Sequence, residues 1–168
     1  MRIGFIVLLS GLLLACTPSY NWRQVVVANG AVTAVFPDKP RTQERPLDYS
    51  GHQLHFSLTT ATVEGALFAV GYAPLPESLR SASGQSQEFA SSVVASLYRN
   101  MGAADPVAPP KLGEPFVIEG KSQQGPMRMR AIVWLTSHAL IEGIVTAEQA
   151  TFPEHQADEF LRGLEVAR

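Results

Sequence analysis

The sequence predicts an α+β fold, an antiparallel sheet of about six to seven strands with two packed helices in the order ββββ-α-βββ-α. Three observations carry this. Short runs of alternating apolar and polar residues outnumber the helical stripes, of which there are two. Most neighbouring runs are joined by segments too short for parallel crossovers. The length of 168 residues fits one domain, since domains commonly run to about 100–200 residues.

The first element is a hairpin. Residues 22–28 and 31–36 are β-rich runs on either side of Asn29-Gly30, a pair suited to a type I′ turn because that turn needs positive φ twice. Pro37 and Pro40 stop the second strand. The third and fourth strands are predicted over 53–60 and 65–72. Leu54, Phe56 and Leu58 share one face of the third strand, and Gln53, His55 and Ser57 share the other. That pattern fits a sheet covered on one side and wetter on the other. A helix follows over 85–101, with Phe89, Val93, Val94, Leu97 and Met101 as its apolar stripe. Ser83 or Ser86 can cap its start, and Gly102 is placed to end it in the left-handed region.

Residues 103–113 carry Pro106, Pro109 and Pro110 and read as a long loop. Three more strands are predicted over 116–122, 127–136 and 139–147, with turns at Gln124-Gly125-Pro126 and Ser137-His138. A second helix over 152–166 buries Ala157, Phe160, Leu161 and Leu164, and Thr151 with Glu154 has capping-box spacing.

The N-terminal segment reads as an address. Arg2 precedes an apolar stretch over residues 3–14, about 12 residues where a bilayer-spanning helix needs roughly 20. This is the pattern of a secretory signal. Leu13-Leu14-Ala15-Cys16 follows directly and resembles the lipobox of bacterial lipoproteins. The alternatives are an ordinary signal peptide with an incidental cysteine and a buried N-terminal strand. The chain's single cysteine, standing after a small residue at the end of the apolar run, favours the lipobox. The resemblance implies cleavage before Cys16 and acylation of its thiol (palmitate or another fatty acyl chain). Each buried CH₂ would contribute about 0.8 kcal/mol to anchoring. The expected organisation is a lipoprotein signal peptide over 1–15, an acylated cysteine and short tether over 16–21, and a single α+β domain over 22–168. By the same resemblance, Thr17 in place of an acidic residue implies sorting to the outer membrane of a diderm envelope, facing the periplasm.

The mature domain carries a second resemblance. Phe36-Pro37-Asp38-Lys39-Pro40, after a hairpin, resembles the FPxKP element of PsbP-like domains, and the order of elements is similar across most of the domain. This implies an accessory or binding module rather than an enzyme. It brings no catalytic motif, and no metal- or protein-binding residues of the family find counterparts here.

Composition and motifs narrow the chemistry. With 13 Lys+Arg against 15 Asp+Glu and a net charge of −2, no electrostatic footprint for nucleic acid is present. One cysteine excludes an internal disulfide framework and a zinc site of several thiolates. His52 and His55, three apart on a strand, point to opposite faces and form no chelating pair. His155 reads as an exposed helix residue beside Glu154 and Asp158. No G-x-S-x-G, P-loop, G-x-G-x-x-G or H-E-x-x-H occurs, so no catalytic residue, metal or cofactor is predicted.

Two features remain. Glu142 lies in an otherwise apolar strand; it is expected to face outward or to pair with Arg128 or Arg130, whereas an inward Glu142 would have a raised pKa and could handle protons. Met127-Arg128-Met129-Arg130 puts both arginines on one strand face, with Trp134 sharing their parity. Arg128, Arg130 and Trp134 are therefore the candidate binding surface, suited to acidic head groups, peptidoglycan carboxylates or an envelope protein partner. The functional expectation is a lipid-anchored binding or accessory module of the bacterial envelope. An envelope hydrolase and a carrier of a small apolar ligand held between helix and sheet are the alternatives.

Overall fold

Tight turns join most successive strands, and every strand pairing among the described residues is antiparallel. The structure is a computed structural model that describes residues 19–167. The predicted signal peptide, Cys16 and Thr17 lie outside the described residues.

Five strands come first: β1 (Arg23–Val27), β2 (Val32–Phe36), β3 (Arg41–Tyr49), β4 (His52–Val63) and β5 (Ala66–Pro74). Helices α1 (Glu77–Ser81) and α2 (Gln85–Asn100) follow. The chain then forms β6 (Phe116–Ser122), β7 (Gly125–Leu135), β8 (Ala139–Glu148), α3 (Glu154–Arg162) and β9 (Glu165–Val166). The main sheet has the order β3-β4-β5-β8-β7-β6, and a small sheet has the order β1-β2-β9.

Alternation along the central strands sends side chains into two separate cores. Ala69, Ala73, Val133, Leu140 and Ile144 meet Leu79 of α1 and Phe89, Val94 and Leu97 of α2. On the opposite face Phe68, Ile132, Ile141 and Val145 meet Phe36 of the small sheet and Phe160 and Leu161 of α3. The rings of Phe36, Phe68 and Phe160 stack edge to face or tilted, with centroids 5.2–5.4 Å apart along the chain of contacts. The expected half-wet sheet is thus covered on both faces by different elements. Leu54, Phe56 and Leu58 do share a face, the one beneath α2.

The α+β class and the antiparallel main sheet stand as expected. The strand count and order are matched in part: the main sheet has six strands, within the expected six to seven, but a second sheet of three strands and a third helix are also present among the described residues. β3 has no apolar rhythm to reveal it, since all of it except Tyr49 is exposed. It is an edge strand, paired to β4 alone, the place in a sheet where a proline such as Pro46 is tolerated. The last helix ends at Arg162, and the chain turns to set Glu165–Val166 beside β2. Neither expected N-terminal cap forms: Gly84 precedes α2, and Pro153 precedes α3 without a side-chain cap. The first turn is longer than two residues, because Val27 pairs with Val32 and Ala28, Asn29 and Gly30 all take positive φ. Gly102 does close α2 in the left-handed region, at φ 62°.

Candidate ligand-binding site

The centre of β8 is buried on both faces, from Ala139 to Val145. Glu142 stands in the middle of that run. Its neighbours across the sheet are Gly71 of β5 and Val133 of β7. Its side chain therefore rises with Leu140 and Ile144 toward α2, and it is 6% exposed. Oε2 has no hydrogen-bond partner among the described residues. Removal from water penalises the charged form, and the carboxyl is pushed up to about 7.

Room for this group is provided by Gly71. A Cβ at position 71 would collide with Oε1 and Cγ of Glu142 and lie 2.8 Å from its Cδ. Any larger residue there would evict the carboxyl. Beside it lies a cleft of about 390 Å³, roofed by Phe89, Val93 and Leu97 of α2 and floored by Phe56, Leu140 and Glu142. Its size falls in the range of about 300–1,000 Å³ seen for small-molecule sites. At the open end Arg45 of β3 lays its guanidinium 5.7 Å from the centroid of Phe56. The walls are apolar except for Ser96, Asn100, Arg45 and Glu142. Such a cleft can bury an apolar body while one carboxyl takes a single polar group.

The outward or arginine-paired orientation expected for Glu142 does not occur. Arg128 and Arg130 lie opposite Ala147 and Val145 on the other face of the sheet, beneath α3. There Arg128 reaches Glu119 at 2.8 Å and also Glu154, while Arg130 reaches Glu154 at 3.5 Å and also Asp158. The guanidinium of Arg128 lies 5.9 Å from the Phe152 ring centroid. The hydrogen bonds that Arg128 donates to Glu119 and then to Glu154 raise its pKa further still, against a smaller opposing effect of burial. The two arginines are 26% and 20% exposed in their side chains and engaged with this chain's own carboxylates. Trp134 shares their face but stands at the far end of β7, beside a second cleft of about 490 Å³ with Leu164 and Val166. Parity thus groups the three residues as expected, while the cations are held by carboxylates of α3 and the indole lines the second cleft.

The histidines are dispersed. His52 Nδ1 contacts Ser78 Oγ at 2.8 Å at the surface, and His138 Nδ1 contacts Arg80 at 3.1 Å. His155 is exposed on α3, as expected, with its Nδ1 3.6 Å from Glu159 Oε2. Among the described residues no group of three His, Cys, Asp or Glu side chains converges as a metal site. No helix of the described residues is long and apolar enough to cross a membrane.

No family model, no curated protein and no solved structure matches this chain. The cleft rests on its own geometry. Sequence reasoning weighed Glu142 but passed over Gly71, Arg45 and Phe56 as site residues. Gly71 within an apolar strand was the available signal, because such a glycine marks close approach by another group.

Proposed function

We propose that this chain is a lipid-anchored binding module of the bacterial envelope that holds a small, mostly apolar ligand between α2 and the main sheet. The observation that carries it is the unpartnered, buried Glu142 carboxyl at the floor of an apolar cleft. A buried acid left without a partner costs stability, and a ligand that brings a donor offsets that cost. Non-enzymatic binding fits the remaining lining, which offers no nucleophile paired to a base.

The anchor is supported by Arg2, the apolar run over residues 3–14 and the lipobox ending at Cys16, and the outer-membrane, periplasm-facing location by Thr17. The relationship to PsbP-like domains is supported by the FPxKP element, which here turns the chain from β2 into β3 with Phe36 fully buried.

Labelled palmitate tests the anchor: it enters the wild type and is absent from Cys16→Ser, whereas a labelled variant would overturn the lipobox reading. Fluorescence of N-phenyl-1-naphthylamine tests the cleft. Its binding weakens at least tenfold in Val93→Trp, which fills the cleft from α2; unchanged binding would place the probe elsewhere and remove the support.

A further inference from the structure

Resting on the binding reading above, we infer that the ligand is an apolar monoamine whose ammonium meets Glu142 while its apolar body lies between Phe56 of β4 and the Phe89–Val93 face of α2.

The carboxyl is built into the fold, since Gly71 clears the space that Glu142 occupies. Among the described residues nothing donates to its Oε2, which leaves a place for a donor brought by a ligand. An ammonium brings both the donor and the opposite charge into a site of low dielectric, where the pairing is far stronger than at a surface. A hydroxyl brings the donor alone. A carboxylate brings neither in its ionised form and places like charge beside Glu142.

The other charge on the cleft sets the valence. Across β3, β4, β5, β8 and α2, Arg45 is the only other ionisable residue of the lining among the described residues. It cannot neutralise Glu142, because β3 lies three strands from β8 in the sheet, roughly 14 Å at the usual strand spacing. Arg45 stays at the exposed end, over Phe56. A second ammonium at the far end of a diamine would meet that guanidinium, so the cleft selects a single cation. Burial holds the Glu142 carboxyl near 7, and an alkylammonium stays charged up to pH 8. Amine selectivity therefore grows from pH 6 to pH 8 as the carboxyl ionises.

Isothermal titration of the full chain in lipid nanodiscs, with empty nanodiscs as the blank, compares octylamine, 1-octanol and 1,8-diaminooctane. At pH 8 octylamine binds at least tenfold more tightly than either, its advantage over octanol shrinks at pH 6, and Glu142→Gln erases it. Octanol binding as tightly as octylamine would overturn the amine inference while leaving the binding-module reading intact. No saturable binding of any of the three would overturn both. A diamine equal to octylamine would overturn the monoamine selection by Arg45. Should Glu142→Gln fail to fold, the wild-type pH profile alone decides: a flat ratio of octylamine to octanol affinity overturns the inference.

Discussion

Replacing Glu142 with Gln separates the burial of a titrating acid from every other contribution to stability. In the folded chain the carboxyl holds its proton to about pH 7, against an ordinary value of 4.5 in the unfolded chain. Between those limits the folded state binds more protons than the unfolded state, so stability falls as pH rises. The contribution is fully present below pH 4.5 and is lost as pH rises through 7. The slope is about 1.4 kcal/mol per pH unit, or about 3 kcal/mol over the whole window. Glutamine keeps the shape and does not titrate. Its amide adds an offset from its own unmet donors, about 1–3 kcal/mol, but that offset does not change with pH. Urea denaturation of both chains from pH 4.5 to 8 gives two stability curves. Their difference moves by about 3 kcal/mol in favour of Glu142→Gln as pH rises. All other titrating groups cancel in that difference. Parallel curves would show that Glu142 is solvated or paired in solution, and both the cleft and the ligand argument built on it would fall.

Three further outcomes follow from close contacts. Gly71→Ala drives a methyl into the Glu142 carboxyl and costs about 1–3 kcal/mol by urea denaturation; combined with Glu142→Ala most of that cost disappears, and additive losses would refute the contact. Gly120→Ala is more damaging than an exposed strand substitution, at about 1–3 kcal/mol, because its methyl would meet the backbone carbonyl of Met101, which accepts from Lys121 N–H at 2.9 Å; a stability equal to the wild type would refute the docking of the α2 end on β6. Arg128→Gln releases Glu119 and Glu154 and speeds amide hydrogen exchange in the first turn of α3, and added salt narrows the difference between the two chains. Exchange in α3 that is unchanged by the substitution would show that the ion pairs hold nothing in place.

The parts of this fold that were legible are those where periodicity and burial agree. Phe89, Val94, Leu97 and Met101 mark α2, and Ala157, Phe160, Leu161 and Leu164 mark the buried side of the last segment, even though its helix stops at Arg162. β3 was illegible because an edge strand with one partner and solvent on both faces needs no apolar residues, and the charges of Arg41, Glu44, Arg45 and Asp48 look like a loop. That omission also hid one wall of the cleft and its cation, Arg45.

Glu142 is different, because its orientation could have been counted. With Ser137-His138 at the turn, Thr136 faces Ala139, and the Thr136 N–H donates to the Ala139 carbonyl at 2.9 Å. Moving one residue along each strand from that pair sets Leu140 opposite Leu135, and two residues further sets Glu142 opposite Val133. Directly opposed residues share a face in an antiparallel pair. Val133 has the parity of the methionines, not of Arg128 and Arg130, so no rotamer of either arginine could bring it to Glu142 from β7. Position alone then leaves the carboxyl on the face of Met129 and Leu140, under α2, with nothing ionic on the strand beside it. What the count cannot supply is Gly71, since the β5–β8 register joins strands far apart in the chain and no turn fixes it. A buried acid is tolerable there only because β5 offers a residue without a side chain at that one rung, and the cleft exists because the two strands meet in that register.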